Sequence, residues 1–563
     1  MLGERRIRAV SDDGTGDDVV SALDRPPRGV RRLRPVLRSR PSPAPDSAWR
    51  DPVTWTIAAL VFGAYFVISL FRLLQLTPGS YDFGIYAEYV KQLSQLHAPV
   101  VDILGPGFNL LGNHFQVAVG VIAPFFRLFP SAATLLFFQA LFAAVSVFPV
   151  VTAGNALTGR SAGRLIGFAY GFSWGLQQMI DFDFHEIALA VPLIAFSVSA
   201  LARRRPVAAV AWAVPLVFVE ESQGFTVAAI GLVLGAVMAF RPAMPSLGRG
   251  NNRFAPWGGL FLVMWGLFWS AFAITVIIPH FNPLHEYYFW KDGGTVGGGQ
   301  PFSAGALLTQ AGAGWPTKAE TLALLLLPTA FAAVGSPVAL IALPSLALRF
   351  ISANTAYWGT GFHYDATVMP ILFIAAAEAI ARWRRASALA RPLATPDPAV
   401  PLPSAAALSP AVLAGLNALR ASAGRALDVL RAARGGIVRH GGAMMAAIAV
   451  ALAFQFPLSN LWHATTYRLD AHVAAADAAM AVVPDGATVQ TTLDLLAPLA
   501  ARTDTFWIGN GGNPLTRYIV FDGPDSGYSP AITNVPRFIA QLFPHDGYVQ
   551  VFARDGVYVF RRG

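Results

Sequence analysis

The sequence predicts a mainly α, polytopic membrane protein: a transmembrane helix bundle of about eleven spans, followed by a small α+β domain. Three observations carry that prediction. Hydrophobic residues make up 55% of the 563 residues and charged residues only 13%, outside the range of soluble globular chains. Apolar runs of bilayer-crossing length recur along the chain. Lys and Arg cluster between alternate runs, as expected when basic loops stay on the cytoplasmic side. The net charge of +9 therefore reflects loop sorting and does not point to a nucleic-acid partner. Cysteine is absent, which excludes disulfides, thiolate metal sites and a cysteine nucleophile.

Residues 1–52 read as a disordered, Arg/Pro-rich cytoplasmic tail with no apolar core of a cleavable signal peptide. Its arginines suit contact with anionic membrane lipid. The transmembrane core occupies 53–383. Its first span, Val53–Leu76, exits to the outer face and delivers Ser80-Tyr81-Asp82-Phe83-Gly84-Ile85-Tyr86-Ala87-Glu88 there. From Ile85 to Leu96 the apolar residues share one helical face, opposite Glu88, Lys91, Gln92 and Gln95, which predicts a helix lying in the membrane interface. Asp82 stands where an acidic residue either caps that helix or does chemistry. Phe115–Phe129, broken by Pro124 and Arg127, is short for a span and reads as a second interfacial or re-entrant helix; counting it as a span would put later basic loops on the wrong side.

Nine more spans follow on this parity, at about Ala132–Ala156, Leu165–Ile180, Ile187–Ala202, Val207–Val219, Phe225–Phe240, Trp257–Pro279, Ala319–Val334, Pro337–Phe350 and Ala366–Ala381. Basic residues at Arg160, Arg164, Arg203–Arg205, Arg241, Arg249, Arg253, Arg382, Arg384 and Arg385 then lie inside. The glycine run Gly293–Gly299 in an outer loop suggests a mobile lid. Residues 384–440 form a cytoplasmic Ala/Pro/Arg linker with a helix near Val412–Ala433, 441–461 the last span, and 462–563 the outer α+β domain. In that domain Ala471–Val483 reads as helix, Ala487–Thr492 and Tyr518–Phe521 as strands, and Tyr548–Phe560 as a hairpin turning at Asp555-Gly556.

This topology gathers Asp82, Glu88, His114, Asp181, Asp183, His185, Glu186, Glu220, Glu221, His285, Glu286 and His363 on the outer face, although only Arg and Lys set the parity. Sorting alone leaves acids outside, yet Asp-Phe-Asp-Phe-His-Glu is dense for a short turn, and ionisable groups at span ends favour a water-filled cavity. Arg72 and Arg349 break the sorting. They either pair with the outer carboxylates or bind a phosphate. Asp181, Asp183, His185, Glu186 and Glu221 offer the oxygen and imidazole ligands of a divalent cation, the one cofactor the pattern suggests. No P-loop, zinc-protease helix or nucleophile elbow is present.

Tyr81-Asp82-Phe83-Gly84-Ile85-Tyr86, Gly112-Asn113-His114-Phe115, Asp181–Glu186, Glu220-Glu221 and His363-Tyr364, in this order over Val53–Ala381, resemble the bacterial membrane proteins of the domain of unknown function 2079 family. The chain departs from that pattern at Ala87-Glu88, where Asp-Gln is usual, and at Glu220-Glu221-Ser222, where Lys-Glu-Asp is expected. The family is similar to the glycosyltransferase C (GT-C) superfamily, whose first outer loop carries an acidic residue, often the catalytic base. The resemblance implies a multi-pass bacterial plasma-membrane enzyme with a cytoplasmic N-terminus and an extracytoplasmic C-terminal domain. Such an enzyme moves a sugar from a polyprenyl-phosphate donor to an envelope acceptor. Asp82 would be the base; Glu88, His114, Arg72, Arg349, His363 and Tyr364 would bind substrate. Two other readings use the same cluster: a transporter or lipid flippase, and a non-catalytic envelope assembly factor. The scarcity of mid-span charges favours the enzyme over the transporter.

Overall fold

The computed structural model describes residues 48–77, 80–239, 254–291, 304–390, 410–528 and 532–563. The tail before residue 48, Arg241, Arg249, Arg253, the run Gly293–Gly299 and linker residues 391–409 lie outside them.

The chain is mainly helical. In order, helices α1 to α10 are Pro52–Leu74, Tyr81–Ser94, Ala123–Leu128, Ala132–Thr158, Arg160–Gly171, Trp174–Asp181, Ile187–Ala202, Pro206–Ala213, Gln223–Ala239 and Phe254–Phe272; α11 to α20 are Ile278–Phe281, Tyr288–Lys291, Ala304–Gly312, Trp315–Leu326, Leu343–Phe350, Val368–Ala390, Pro410–Ala453, Ala471–Ala481, Leu496–Ala500 and Val535–Leu542. Among the described residues four stretches are long and apolar enough to cross a membrane: Pro52–Leu74, Ala132–Thr158, Phe254–Phe281 and Arg431–Ala453; other apolar helical segments are shorter. Trp257, Met264 and Phe268 stand exposed on α10, an apolar surface suited to lipid.

Small residues let the helices approach. The α9–α10 pair makes the most extensive helix contact, and a Cβ on Gly231 would come within 2.5 Å of the Gly259 carbonyl oxygen, one on Gly224 within 2.3 Å of that of Gly266. Helix α1 starts with Pro52 in its first turn, behind an Asp51 carboxylate that accepts from Thr54 and, at 2.7 Å, from Arg164. The helix runs for 23 residues, about 34 Å along the axis, to Leu74, with Arg72 in its last turn. Asp51 and Arg72 thus mark opposite ends of the bundle.

The short helical segment read at Phe115–Phe129 is resolved in detail, and two local readings are corrected. Phe115–Phe129 is a 3-10 turn, Val117–Ile122, and the two-turn α3, which packs on α2 and sends Arg127 to the Ser94 carbonyl at 3.0 Å. Helix α2 does not rest on lipid with a wet polar face: Phe83 to Lys91 are all buried, Glu88 and Lys91 included, because the C-terminal domain covers that face. The helix near Val412–Ala433 and the last span merge into one helix, α17, since no proline interrupts the chain between Pro410 and Pro457.

The C-terminal domain holds a mixed sheet in the order β2-β1-β3-β5-β4, with strands Thr488–Thr491, Asp504–Trp507, Tyr518–Asp522, Tyr548–Arg554 and Val557–Arg562 numbered along the chain. Strands β1, β2 and β3 are parallel, and the β4–β5 hairpin turns at Asp555-Gly556. Alternation sends Val489, Val520, Val557 and Val559 against α18 and Leu499, and Ile519, Phe521 and Phe560 against Val535 and Ile539 of α20. Helix α19 then docks on α2: a Cβ on Gly84 would stand 2.8 Å from Leu496 Cβ, Tyr81 meets Trp507 edge to face, and Asn510 donates to the Ile103 carbonyl at 2.6 Å. Lys91 reaches the Thr503 carbonyl and Asp504.

Candidate functional site

Between α2, the α6–α7 turn, the segment before α9 and the loop before α16 lies a cavity of about 720 Å³. Asp82, His114, His185, Glu186, Glu220, Glu221, Arg349, His363 and Tyr364 all line it. It sits at the Arg72 end of the bundle, beside the C-terminal domain. Ile85, Phe225, Ile274 and Leu348 supply an apolar side.

Asp82 does not cap α2. Ser80 holds the N-cap position and Asp82 sits in the first turn, where the helix dipole favours its negative charge. Its side chain is 41% exposed, and Oδ2 lies 3.9 Å from His185 Nε2. The other ring nitrogen of His185 meets Glu186, which also receives the Tyr86 hydroxyl. Burial works against the imidazolium of His185, but Glu186 prevails and raises its pKa; Glu186 is in turn lowered by His185 against the pull of burial. The backbone N–H of His185 is held by Gln139 Oε1 at 3.2 Å. His363 stacks on His185, ring centroids 3.7 Å apart and 19° from parallel. Burial drives the pKa of His363 well below the usual range, and the charges of His185 and Arg349 push it the same way.

A second constellation lies across the cavity. Glu221 Oε1 accepts from His114 Nδ1 and from the Tyr287 hydroxyl, both at 2.8 Å, while Oε2 accepts from the Phe115 N–H at 3.0 Å. Burial opposes the charge on His114, yet Glu221 raises its pKa to about 9. Glu220, next to Glu221 and half-buried, is pushed up by burial first and by that neighbour second. The ligating atoms of His114, Glu220 and Glu221 all lie within 4.8 Å of one another. Two carboxylates and an imidazole at that spacing fit a divalent cation, which would also relieve the repulsion between the glutamates. Binding would displace the proton shared by His114 and Glu221.

Several residues singled out in the sequence lie elsewhere. Arg72 is outside the cavity and pairs with Asp181 at 3.2 Å and Asp183 at 3.6 Å. Asp183 adopts a left-handed backbone, φ 68°, to turn its carboxylate inward; burial pushes it up to about 6, against the opposing charge of Arg72. Glu88 is fully buried between α2 and the Asp102–Leu104 turn, where its Oε2 accepts from the Ile103 N–H at 3.2 Å. Arg349 lines the cavity, but Asp365 at 2.5 Å and the carbonyls of Tyr357 and Gly359 hold its guanidinium. Tyr86, Gln116, Tyr287 and Phe289 also line the cavity, the last stacked on His114. The sequence gives none of them a role, although Tyr86 belongs to the Asp82 stretch and Tyr287 adjoins Glu286 in a loop dense in polar residues.

No curated protein matches the sequence. Among solved structures, the crystal structure of ArnT from Cupriavidus metallidurans bound to undecaprenyl phosphate matches with a TM-score of 0.50 at 14% identity, covering 92% of this chain and 98% of that one. The likeness is one of fold: the helical chain here is ArnT-like. Residues 72–394, more than half of the chain and including every cavity residue named above, match the family described as predicted membrane protein DUF2079, and the chain belongs to that family.

Proposed function

We propose that this protein is an integral-membrane glycosyltransferase that moves a sugar from a polyprenyl-phosphate donor to an envelope acceptor at the outer face of a bacterial plasma membrane. One observation carries the reading: Asp82 opens into the same cavity as the His185–Glu186 pair, at the foot of a helix fixed on both sides. The ArnT-like fold supports it, since the matched ArnT binds undecaprenyl phosphate and is distantly related in architecture.

In this mechanism Asp82 accepts the proton of the acceptor hydroxyl as its oxygen attacks C1 of the sugar. The C1–O bond to the carrier breaks, and its electron pair leaves with the polyprenyl phosphate. His185, held by Glu186, stands 3.9 Å from Asp82 Oδ2 and positions the carboxylate that accepts the proton. Arg349, fixed by Asp365 and the Tyr357 and Gly359 carbonyls, lends its charge to the cavity wall that would take the donor phosphate. Ile85, Phe225, Ile274 and Leu348 offer apolar contact to the carrier near its phosphate. His114, Glu220 and Glu221 would hold a divalent cation, which when bound supplies charge neutralisation to the leaving phosphate.

The test is transfer by the purified protein in nanodiscs, using labelled polyprenyl-phosphate sugars and cell-envelope acceptors. Asp82→Asn should abolish transfer while leaving yield and thermal midpoint unchanged. Full transfer by that variant overturns the assignment of Asp82.

A further inference from the structure

The C-terminal domain carries a second polar cluster, remote in sequence from the cavity. The chain runs from β1 out to β2 on one side and returns to β3 on the other, so the strand order reverses between β1 and β3. In open parallel sheets the crevice at the carboxyl ends of such a strand pair is where ligands sit. Here Asp522 ends β3, Asp494 lies one turn beyond β1, and Thr492 Oγ1 ties the two ends by accepting from the Asp522 N–H at 3.2 Å.

His472 of α18 points into this crevice. Its Nδ1 lies 2.8 Å from the Asp555 carbonyl oxygen. A carbonyl only accepts, so Nδ1 carries the proton and Nε2 is left with its lone pair. That lone pair faces Asp522 Oδ2 at 2.8 Å and Asp525 Oδ2 at 3.6 Å. Two lone pairs at such a distance need a cation between them, either a second proton or a metal. The carboxyl of Asp494, which is 4% exposed, has no aligned hydrogen-bond donor on either oxygen and lies beside Asp522. One proton on His472 leaves both Asp522 and Asp525 facing one imidazolium. A divalent ion balances them better.

We propose that His472, Asp522 and Asp525, backed by Asp494, form a binding site for a divalent cation of the Zn²⁺ or Mn²⁺ type. The ligating atoms of the first three lie within 4.8 Å of one another. Neighbouring ligand atoms on a cation with bonds of about 2.1 Å stand about 3.0–3.4 Å apart, close to the spacings found. The Nδ1–H to carbonyl bond is the kind of contact that orients a ligating histidine. Imidazole with carboxylates suits Zn²⁺ or Mn²⁺ better than Mg²⁺ or Ca²⁺. Asp525, with a side chain 62% exposed, leaves the site open to solvent. An ion there would join α18, two strand ends and the β4–β5 turn.

The full-length protein in nanodiscs, stripped with chelator and equilibrated with Zn²⁺ or Mn²⁺ alone, should retain one equivalent more metal than His472→Gln. The difference should persist when both carry Glu221→Gln, which separates this site from the cavity. In the Glu221→Gln background, added Zn²⁺ should raise the thermal midpoint, and His472→Gln in that background should leave it unmoved. Asp525→Asn, an exposed change that leaves the core intact, should lose the same equivalent even if His472→Gln folds poorly. Equal retention by wild type and Asp525→Asn for both metals shows that a proton alone bridges His472 and Asp522, and overturns the proposal.

Discussion

His185 and His363 stack face to face with centroids 3.7 Å apart, so both rings cannot readily carry a proton. Glu186 decides which one does: it holds the cation on His185, and burial with that cation keeps His363 neutral. A residue with a depressed folded pKa binds fewer protons when native, so stability is present above the unfolded value near 6.5 and falls as pH drops toward the folded value. His185, with a raised pKa, acts in the opposite sense, holding its contribution below 6.5 and losing it as pH rises. His363→Phe keeps a stacked ring and cannot titrate. It should therefore flatten the loss of thermal midpoint between pH 6.5 and 4.5 while leaving the alkaline limb in place. An acid limb as steep as the wild type's would show that His363 is protonated in the native state.

Arg72 and Asp183 form the polar link between the end of α1 and the α6–α7 turn. Arg72 also contacts Asp181, whose side chain is 34% exposed against 3% for Asp183. Arg72→Met should therefore cost about 3 kcal/mol, mostly from leaving Asp183 buried and uncompensated. Asp183→Asn in the Arg72→Met background should recover much of that loss, because no buried charge remains; Asp181→Asn should recover little. The Asp183 carboxyl, at about 6, binds its proton more tightly than in the unfolded chain, so its contribution is present at low pH and is lost as pH rises through 6. Chemical denaturation of the four proteins at pH 5 and pH 7.5 checks both the recovery and its pH dependence.

How much of this was legible in the sequence depends on the distance over which each feature is decided. The β4–β5 hairpin was legible because Asp555-Gly556 and its flanking alternation lie within fifteen residues. Strand β2, Asp504–Trp507, was not: four residues with no clear alternation become a strand by pairing with β1 sixteen positions earlier. The amphipathic pattern of α2 was read correctly as one apolar and one polar face, but periodicity cannot tell water from a folded domain 400 residues further on. Arg72 left two options open in the sequence, and its carboxylate partners lie more than a hundred residues away. Charge sorting gathered the polar turns on one side, and the structure brings Asp82, His185, Glu186 and Glu221 into one cavity. Sorting could not show that His114 would stand beside Glu221, because that depends on how the segment before α9 folds back toward residue 114.

Gly84 fixes how closely the C-terminal domain approaches α2. A Cβ there would stand 2.8 Å from Leu496 Cβ and 3.2 Å from Ile103 Cδ1, so any larger side chain must push α19 away. Gly84→Val should weaken the docking by about 1–3 kcal/mol, the usual range for an overpacked contact. Limited proteolysis should then cut between α17 and α18 faster than in the wild type. Transfer should fall with it, since α19 backs the helix that carries Asp82. Unchanged proteolysis and full transfer would mean that the domain does not hold α2 in place.

Glu88 is the clearest case of a carboxyl kept neutral by its surroundings. It is fully buried, its Oε1 has no hydrogen-bond partner, and Lys91 three residues on is committed to the Thr503 carbonyl and Asp504. Burial pushes its pKa up to about 8, with Lys91 pulling against that shift. The native state therefore holds the Glu88 proton through a range where the unfolded chain, with a value near 4.5, has lost it. Stability from this group is complete below about 4.5 and is lost as pH rises to 8, by an amount on the order of a few kcal/mol. Glu88→Gln keeps the acceptor for the Ile103 N–H and cannot ionise. It should match the wild type at pH 4.5 and melt several degrees higher at pH 8.5. If the two proteins lose stability in parallel over that range, Glu88 is ionised in the folded protein and Lys91 compensates it despite its other contacts.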